Sequence, residues 1–188
     1  LDPTRDGVQQ MAEVLAGRTG IDAIHIISHG SQAELTLGSA RLTLGAMNSV
    51  YADELAAIGQ SLSENADLLI YGCNFGQGEL GGNAAARLAQ LTGADVAASV
   101  DLTGHADLGG DWDLEYSVGS IETGVAFTSD ARQTWDGLLM TLTSTGEFTV
   151  NDPSGNDEQT SGPVRGAERA VDIASNGDYV VVGTDETT

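Results

Sequence analysis

The chain has 188 residues, of which 28 are acidic and 7 are basic, so its formal net charge is −21. A surface of this charge repels phosphate backbones and anionic lipid, which excludes a nucleic-acid-binding protein. No apolar run approaches the ~20 residues that a membrane-spanning helix needs, so membrane insertion is not expected either. Apolar residues make up 40% of the chain, which is enough for a packed core.

The predicted elements alternate between helix and strand along the chain. Apolar residues at helical spacing predict helices over 5–17, 51–62 and 81–92. Short buried runs rich in β-branched residues predict strands over 23–28, 67–72 and 95–99. Alternating apolar residues predict a hairpin or a pair of edge strands over 35–44, and later strands over 111–117 and 121–127. This order predicts an α/β fold, a three-layer sandwich with a mainly parallel sheet.

The composition changes after about residue 140. Helical periodicity ends there, and Asn176-Gly177 between alternating apolar runs predicts a tight hairpin. We therefore divide the chain into a domain over 1–139 and a short all-β part over 140–188, the start of a β-rich repeat module or a linker. A lone hairpin is marginal in water, so we expect it either to need neighbours beyond residue 188 or to dock on the first domain.

The pair of residues that indicates chemistry is His29 and Cys73. Each follows a predicted buried strand, and parallel strands end at the same edge of a sheet, so the two side chains are expected to approach one another. An imidazole beside a thiol raises its thiolate fraction. The N–H groups of Gly30 and Cys73 are then candidate oxyanion donors.

Other interpretations of these patterns remain open. A single cysteine after a strand is commonly a small buried apolar residue, and a single histidine is commonly a hydrogen-bonded structural residue. Gly76, Gly78 and Gly81 match the spacing of a dinucleotide-binding loop, with Asp101 about 20 residues further on. However, three residues separate the first glycine from the strand, and we interpret these glycines as flanking the cysteine.

The single cysteine excludes a disulfide framework and a multi-cysteine zinc site. No metal site and no required cofactor is predicted. The acidic runs, at 107–115 and 152–158, lack the spacing of an EF-hand. We interpret them as solvated loops, with calcium as the alternative ligand. High acidity without lysine is typical of an exported or salt-adapted bacterial surface protein, so we expect a secreted or cell-surface location.

Several motifs in order carry a family resemblance: Ser28-His29-Gly30, the cysteine segment 69–74, and the later segments 91–99, 102–104 and 109–115. The segments around His29 and Cys73 are similar to the His-Gly and Gly-Cys signatures of the caspase-like (clan CD) cysteine peptidases. Taken together, the motifs more closely resemble the DUF4347 domain of large bacterial surface and adhesin proteins, over residues 1–139. By this resemblance the first strands of the domain are expected before residue 1.

The resemblance implies a cysteine endopeptidase with Cys73 as the nucleophile and His29 as the general acid and base. It places substrate binding around Ser99, Asp101 and Trp112. Similarity to toxin autoprocessing domains implies leucine at the cleaved position, so the chain's own Leu138 or Leu139 is a candidate site for cleavage in cis. The expected partner is a peptide or protein substrate, including the chain itself. The alternative is a non-catalytic adhesin or anchoring module that retains the fold.

Overall fold

The computed structural model describes residues 1–140, 171–173 and 179–183. Its helices are α1 (Gly7–Leu15), α2 (Leu44–Met47), α3 (Ala52–Gly59), α4 (Gly78–Thr92) and α5 (Ser129–Thr134). Its strands are β1 (Ile21–Ile27), β2 (Gly30–Ser31), β3 (Glu34–Leu37), β4 (Ala40–Thr43), β5 (Leu62–Ile70), β6 (Asp95–Ala98), β7 (Tyr116–Val118), β8 (Val171–Ile173) and β9 (Tyr179–Gly183).

The central sheet has six strands in the order β7-β6-β5-β1-β9-β8. Strands β9, β1, β5 and β6 run parallel, and the two edge strands pair antiparallel to their neighbours. A second, three-stranded sheet, β2-β3-β4, contains the predicted hairpin. The predicted α/β class with a mainly parallel sheet flanked by helices is confirmed.

Different parts of the chain cover the two faces of the central sheet. Helices α1, α3 and α4 pack on one face, against alternate strand residues such as Ile24, Leu68 and Val96. The chain between residues 102 and 139, which includes α5, covers the other face through a smaller cluster. That cluster contains Ala23, Ile27, Leu69, Tyr71, Cys73, Trp112 and Leu139.

The predicted strand over 121–127 is wrong, and the one over 111–117 is reduced to β7. The reason is that side chains take the place of a strand partner. The N–H groups of Glu122 and Thr123 donate to the carboxylate of Asp67, and that of Ser120 donates to Asp95. Backbone groups that are satisfied by carboxylates do not build a ladder with a neighbouring strand.

The part of the chain after residue 139 contributes two strands to the central sheet. Strand β9 pairs with β1 from Ala23↔Tyr179 to Ile27↔Gly183, and β8 pairs with β9. The predicted turn at Asn176-Gly177 lies outside the described residues. The described helices include none that is long and apolar enough to cross a bilayer.

Candidate active site

The ends of β1 and β5 lie side by side at one edge of the sheet. The two strands pair in parallel as far as Ile26↔Ile70, so the residues that follow them emerge together. A Cβ atom on Gly30 would come within 2.8 Å of the Gly72 Cα and 3.1 Å of the Cys73 nitrogen. Glycine at position 30 therefore permits the close approach of two backbones that the site is built on.

The turn after Cys73 is held by the loop that follows β6. Asn74 adopts the left-handed region with φ 58°, and its N–H donates to the Asp101 carbonyl at 2.7 Å. The N–H of Gly76 donates to the carbonyl of Ser99 at 2.8 Å, and the Ser99 hydroxyl donates to the carbonyl of Asp101. Ser99 and Asp101 thus fix the turn that presents Cys73, and their predicted contact with substrate stays a prediction.

The carbonyl oxygen of Leu139 accepts two backbone hydrogen bonds at this edge. The N–H of Gly30 donates to it at 3.0 Å, and the N–H of Cys73 donates at 3.1 Å. These are the two groups predicted as oxyanion donors, and the oxygen belongs to a residue predicted as a cleavage site. Two N–H groups aimed at one carbonyl oxygen polarise it in the way that stabilises a developing oxyanion.

The segment 137–139, which ends in that carbonyl, pairs with residues 103–105 in the manner of an added β-strand. The N–H of Leu139 donates to the Thr103 carbonyl at 2.9 Å, and the N–H of His105 donates to the Gly137 carbonyl at 2.8 Å. Gly104 and Leu138 form an antiparallel bridge between them. Addition of an extended segment to a strand edge is a common mode of peptide recognition. Sequence reasoning missed Thr103, whose contribution comes from its backbone and leaves no side-chain signal.

The two predicted leucines differ in their surroundings. Leu139 is 5% exposed and belongs to the apolar cluster that contains Ile27, Leu69 and Trp112. Leu138 is half-buried. The next residue, Met140, is 36% exposed and bridges in parallel to Gly30. The Leu139–Met140 peptide bond therefore joins a buried side chain on one side to an exposed one on the other.

His29 is half-buried immediately before Gly30. Its carbonyl accepts hydrogen bonds from the N–H of Thr36 at 2.9 Å and from the Ser28 hydroxyl at 3.2 Å, so its backbone position is fixed. The ring atom Nδ1 is buried and has no hydrogen-bond partner among the described residues. A buried polar atom without a partner carries a desolvation cost, so this nitrogen has an unused capacity for a hydrogen bond. The predicted approach of the His29 and Cys73 side chains stays a prediction.

The thiol of Cys73 is buried against the backbone of Thr103. The Thr103 N–H donates to Sγ at 3.2 Å, and Sγ lies 3.6 Å from the Thr103 carbonyl oxygen. Burial raises the pKa of the Cys73 thiol, and backbone hydrogen bonds from Thr103, Cys73 and Leu139 act in the opposite direction. The charge of Asp101 raises the pKa further. The thiol is therefore neutral at pH 7 in this conformation.

This burial makes alkylation of the thiol pH-dependent in a defined way. Because the folded-state pKa lies above the unfolded one, ionisation of Cys73 disfavours the folded chain as the pH rises. We expect iodoacetamide to alkylate the folded chain more slowly than the urea-unfolded chain, with a rate still rising steeply above about pH 9.5, where that of an ordinary thiol of pKa ~8.5 has levelled off. Mass spectrometry of the intact chain measures both rates. A rate that levels off by about pH 9.5, as an ordinary thiol's does, would contradict this assignment.

The other two histidines have structural partners. His25 is buried in β1, stacks on Tyr71 and lies 3.1 Å from the Tyr71 hydroxyl. Burial lowers the pKa of His25 to about 4, so it is neutral at pH 7. The Nδ1 atom of His105 accepts the Asp107 N–H at 3.1 Å and begins a short 3-10 turn. Sequence reasoning found no partner for either residue.

The glycine motif after Cys73 has a packing explanation. A Cβ atom on Gly81 would come within 2.4 Å of Gly76 backbone, and one on Gly76 would come within 3.2 Å of the Ala98 Cβ. Glycine at these positions lets the start of α4 pack on the turn and on β6. Packing therefore explains the glycine spacing without a bound nucleotide.

These observations describe an α/β domain in which the strands that lead to His29 and Cys73 end at one edge of a mainly parallel sheet. The family whose description reads "Domain of unknown function (DUF4347)" matches residues 1–139, and the chain belongs to this family. No curated protein and no solved structure matches the chain.

Proposed function

We propose that this protein is a cysteine endopeptidase that cleaves its own chain between Leu139 and Met140. Cys73 is the nucleophile, and His29 is the general acid and base. The observation that carries this proposal is the Leu139 carbonyl oxygen, which accepts the N–H groups of both Gly30 and Cys73.

The position of the thiol also supports cleavage of the Leu139–Met140 peptide bond. The N–H of Cys73 itself donates to the Leu139 carbonyl oxygen at 3.1 Å, and the side chains of Cys73 and Leu139 belong to the same buried cluster. The nucleophile and the carbonyl therefore lie together, while the strand-like pairing of Gly137 to Leu139 holds the peptide extended. Such positioning replaces a bimolecular encounter with an intramolecular one, which lowers the barrier substantially.

The reaction proceeds in two steps. His29 takes the proton of Cys73, Sγ attacks the Leu139 carbonyl carbon, and the negative oxygen is held by the two N–H groups. The Leu139–Met140 bond then breaks as His29 passes the proton to the Met140 nitrogen, leaving a thioester on Cys73. Water attacks this thioester, its proton passes through His29 back to sulfur, and Leu139 leaves as a carboxylate.

The buried apolar surroundings of Leu139 support a preference for leucine before the cleaved bond. A charged side chain in the same place would lose its hydration without gaining a partner. The substrate is therefore the chain itself or a protein with a leucine in an extended segment. We place the protein outside the bacterial cell or on its surface, as its acidic composition without lysine suggests.

A non-catalytic module is the second candidate. It is favoured by one observation, the complete burial of Cys73, since a covered thiol with a raised pKa is a poor nucleophile until it loses its proton. In that case the Leu139 carbonyl would be a structural tie between the end of the domain and the sheet.

Intact mass distinguishes the two functions. We expect the purified chain to separate on denaturing analysis into two pieces, with Met140 as the new N-terminus. Cys73→Ala is expected to slow the cut at least about a hundredfold because it removes the nucleophile. His29→Ala should slow it by about 10²–10⁴-fold, the range of general acid–base catalysis.

His105→Ala is the matched control, since its side chain accepts the N–H of Asp107 and the substitution keeps the backbone N–H that donates to the Gly137 carbonyl. It should cut at a rate close to that of the unaltered chain. If the unaltered chain stays uncut, as Cys73→Ala does, over a pH range and with calcium present, the non-catalytic module is left as the function.

A further inference from the structure

Three carboxylates meet near the start of the parallel strands on the face that carries Tyr71. Asp67 in β5 and Asp95 in β6 are register neighbours, and Glu122 lies in the segment after β7. One oxygen from each of the three lies within 4.8 Å of the others. Like charges at this separation repel one another unless a cation lies between them.

Asp67 is the buried member of this cluster. Its side chain is 0% exposed, and its Oδ2 atom accepts the N–H groups of Glu122 at 3.1 Å and Thr123 at 2.8 Å. Its Oδ1 atom is also buried and has no hydrogen-bond partner within the described part of the chain. A buried carboxylate oxygen without a partner carries a large desolvation cost, which a bound cation removes.

Asp95 is fixed in place by the segment that follows β7. Its Oδ2 atom accepts the N–H of Ser120 at 2.9 Å. Gly119 has φ 89°, and a Cβ atom there would overlap the Asp95 carboxylate. Among the described residues the side-chain ion pairs are Arg5–Glu13 and Arg41–Glu34, so no arginine neutralises this cluster there.

We propose that Asp67, Asp95 and Glu122 form a calcium site. The ligands are all carboxylate oxygens, which suit a hard divalent cation rather than zinc or copper. Calcium accepts six to eight oxygens in flexible geometry, whereas magnesium demands a near-ideal octahedron and keeps most of its waters. The cluster combines strand and loop residues around one buried carboxylate, which favours the more tolerant ion.

The site joins the sheet to the segment that covers the candidate active site. Residues 119–123 are tied to β5 and β6 by the two aspartates, and the same segment continues to Phe127. Phe127 packs on Trp112 with ring centroids 4.8 Å apart and on Tyr71 at 5.6 Å. Trp112 shares the apolar cluster of Leu139. Calcium is therefore expected to stabilise one side of the apolar cluster around Leu139.

The test uses the full chain carrying Cys73→Ala, so that binding is measured whether or not the chain cleaves itself. Calorimetric titration with calcium chloride is expected to show one strong site, and calcium should raise the unfolding temperature and slow amide exchange over 119–127. Glu122→Gln removes an exposed ligand without disturbing the core, and is expected to weaken binding about tenfold or more. Asp67→Asn keeps the shape of the side chain and should weaken binding further.

The matched control is Asp111→Asn with Glu115→Gln, which removes two carboxylates from the other acidic cluster, formed with Asp101. This control should bind calcium as the parent does. The proposal is overturned if calcium does not bind at millimolar concentration, if Glu122→Gln binds as tightly as the parent, or if the control alone loses the site. Magnesium binding as tight as calcium binding would overturn the choice of ion.

Discussion

Replacing Leu139 with aspartate is expected to stop self-cleavage, with a loss of at least about a hundredfold in rate. The Leu139 side chain is 5% exposed within an apolar cluster, so an ionised carboxylate there loses its hydration without a counter-charge. The segment would leave its place beside Thr103, and its carbonyl would leave the N–H groups of Gly30 and Cys73. The rate is followed by intact mass, with thermal unfolding as a check on the fold.

Two variants control for this change. Leu139→Met keeps an apolar side chain of similar volume and should retain most of the rate. Met140→Asp places the same charge one residue further along, where the side chain is 36% exposed, and should be cut within a few-fold of the parent rate. If Leu139→Asp were still cut before residue 140 at the parent rate, the apolar surroundings of Leu139 would play no part in choosing the bond.

Replacing Gly30 with alanine is also expected to slow self-cleavage strongly, although this residue contributes no side chain to the chemistry. The new Cβ atom would lie 2.8 Å from the Gly72 Cα, which is closer than real Cβ contacts allow, so one of the two backbones must move. That movement displaces the Gly30 N–H from the Leu139 carbonyl. Loss of one oxyanion donor costs about 10²–10³ in rate, and overpacking of this kind costs about 1–3 kcal/mol of stability.

Gly45→Ala is the matched control for this substitution. Gly45 lies in α2, and the nearest atom to its added Cβ is the Thr43 hydroxyl at 3.8 Å, so the change is expected to leave both rate and stability nearly unaltered. Cleavage rates come from intact mass, and stabilities come from urea unfolding. Parent-like cleavage by Gly30→Ala would show that this N–H group does not assist the reaction.

The sheet could be predicted from the sequence because its strands have strong patterns. The apolar runs around Ile24 and Leu68 are buried on both faces, and the parallel order follows from the helices between them. The segment 121–127 could not be predicted in the same way. Its alternation resembles a strand, but its N–H groups bond to Asp67, which lies more than fifty residues earlier in the chain.

The two N–H donors of the candidate site could be predicted from the sequence, but the carbonyl group that accepts their hydrogen bonds could not. Gly30 and Cys73 follow strands, and strand order alone brings their N–H groups to one edge. The choice between Leu138 and Leu139 depends on which carbonyl reaches that edge, and neither side chain reveals this. The same holds for Thr103, which bonds to both Cys73 and Leu139 through its backbone.

The pairing of β9 with β1 determines what a break after Leu139 would produce. Tyr179 to Gly183 hydrogen-bond alongside Ala23 to Ile27, the strand that leads to His29. Severing the backbone at Leu139 therefore leaves both pieces sharing one sheet, as a nicked protein whose halves co-elute under native conditions and part when denatured. Departure of the downstream half would require peeling the edge formed by β9 and β8 away from β1, so mechanical load or a competing strand would govern when it leaves.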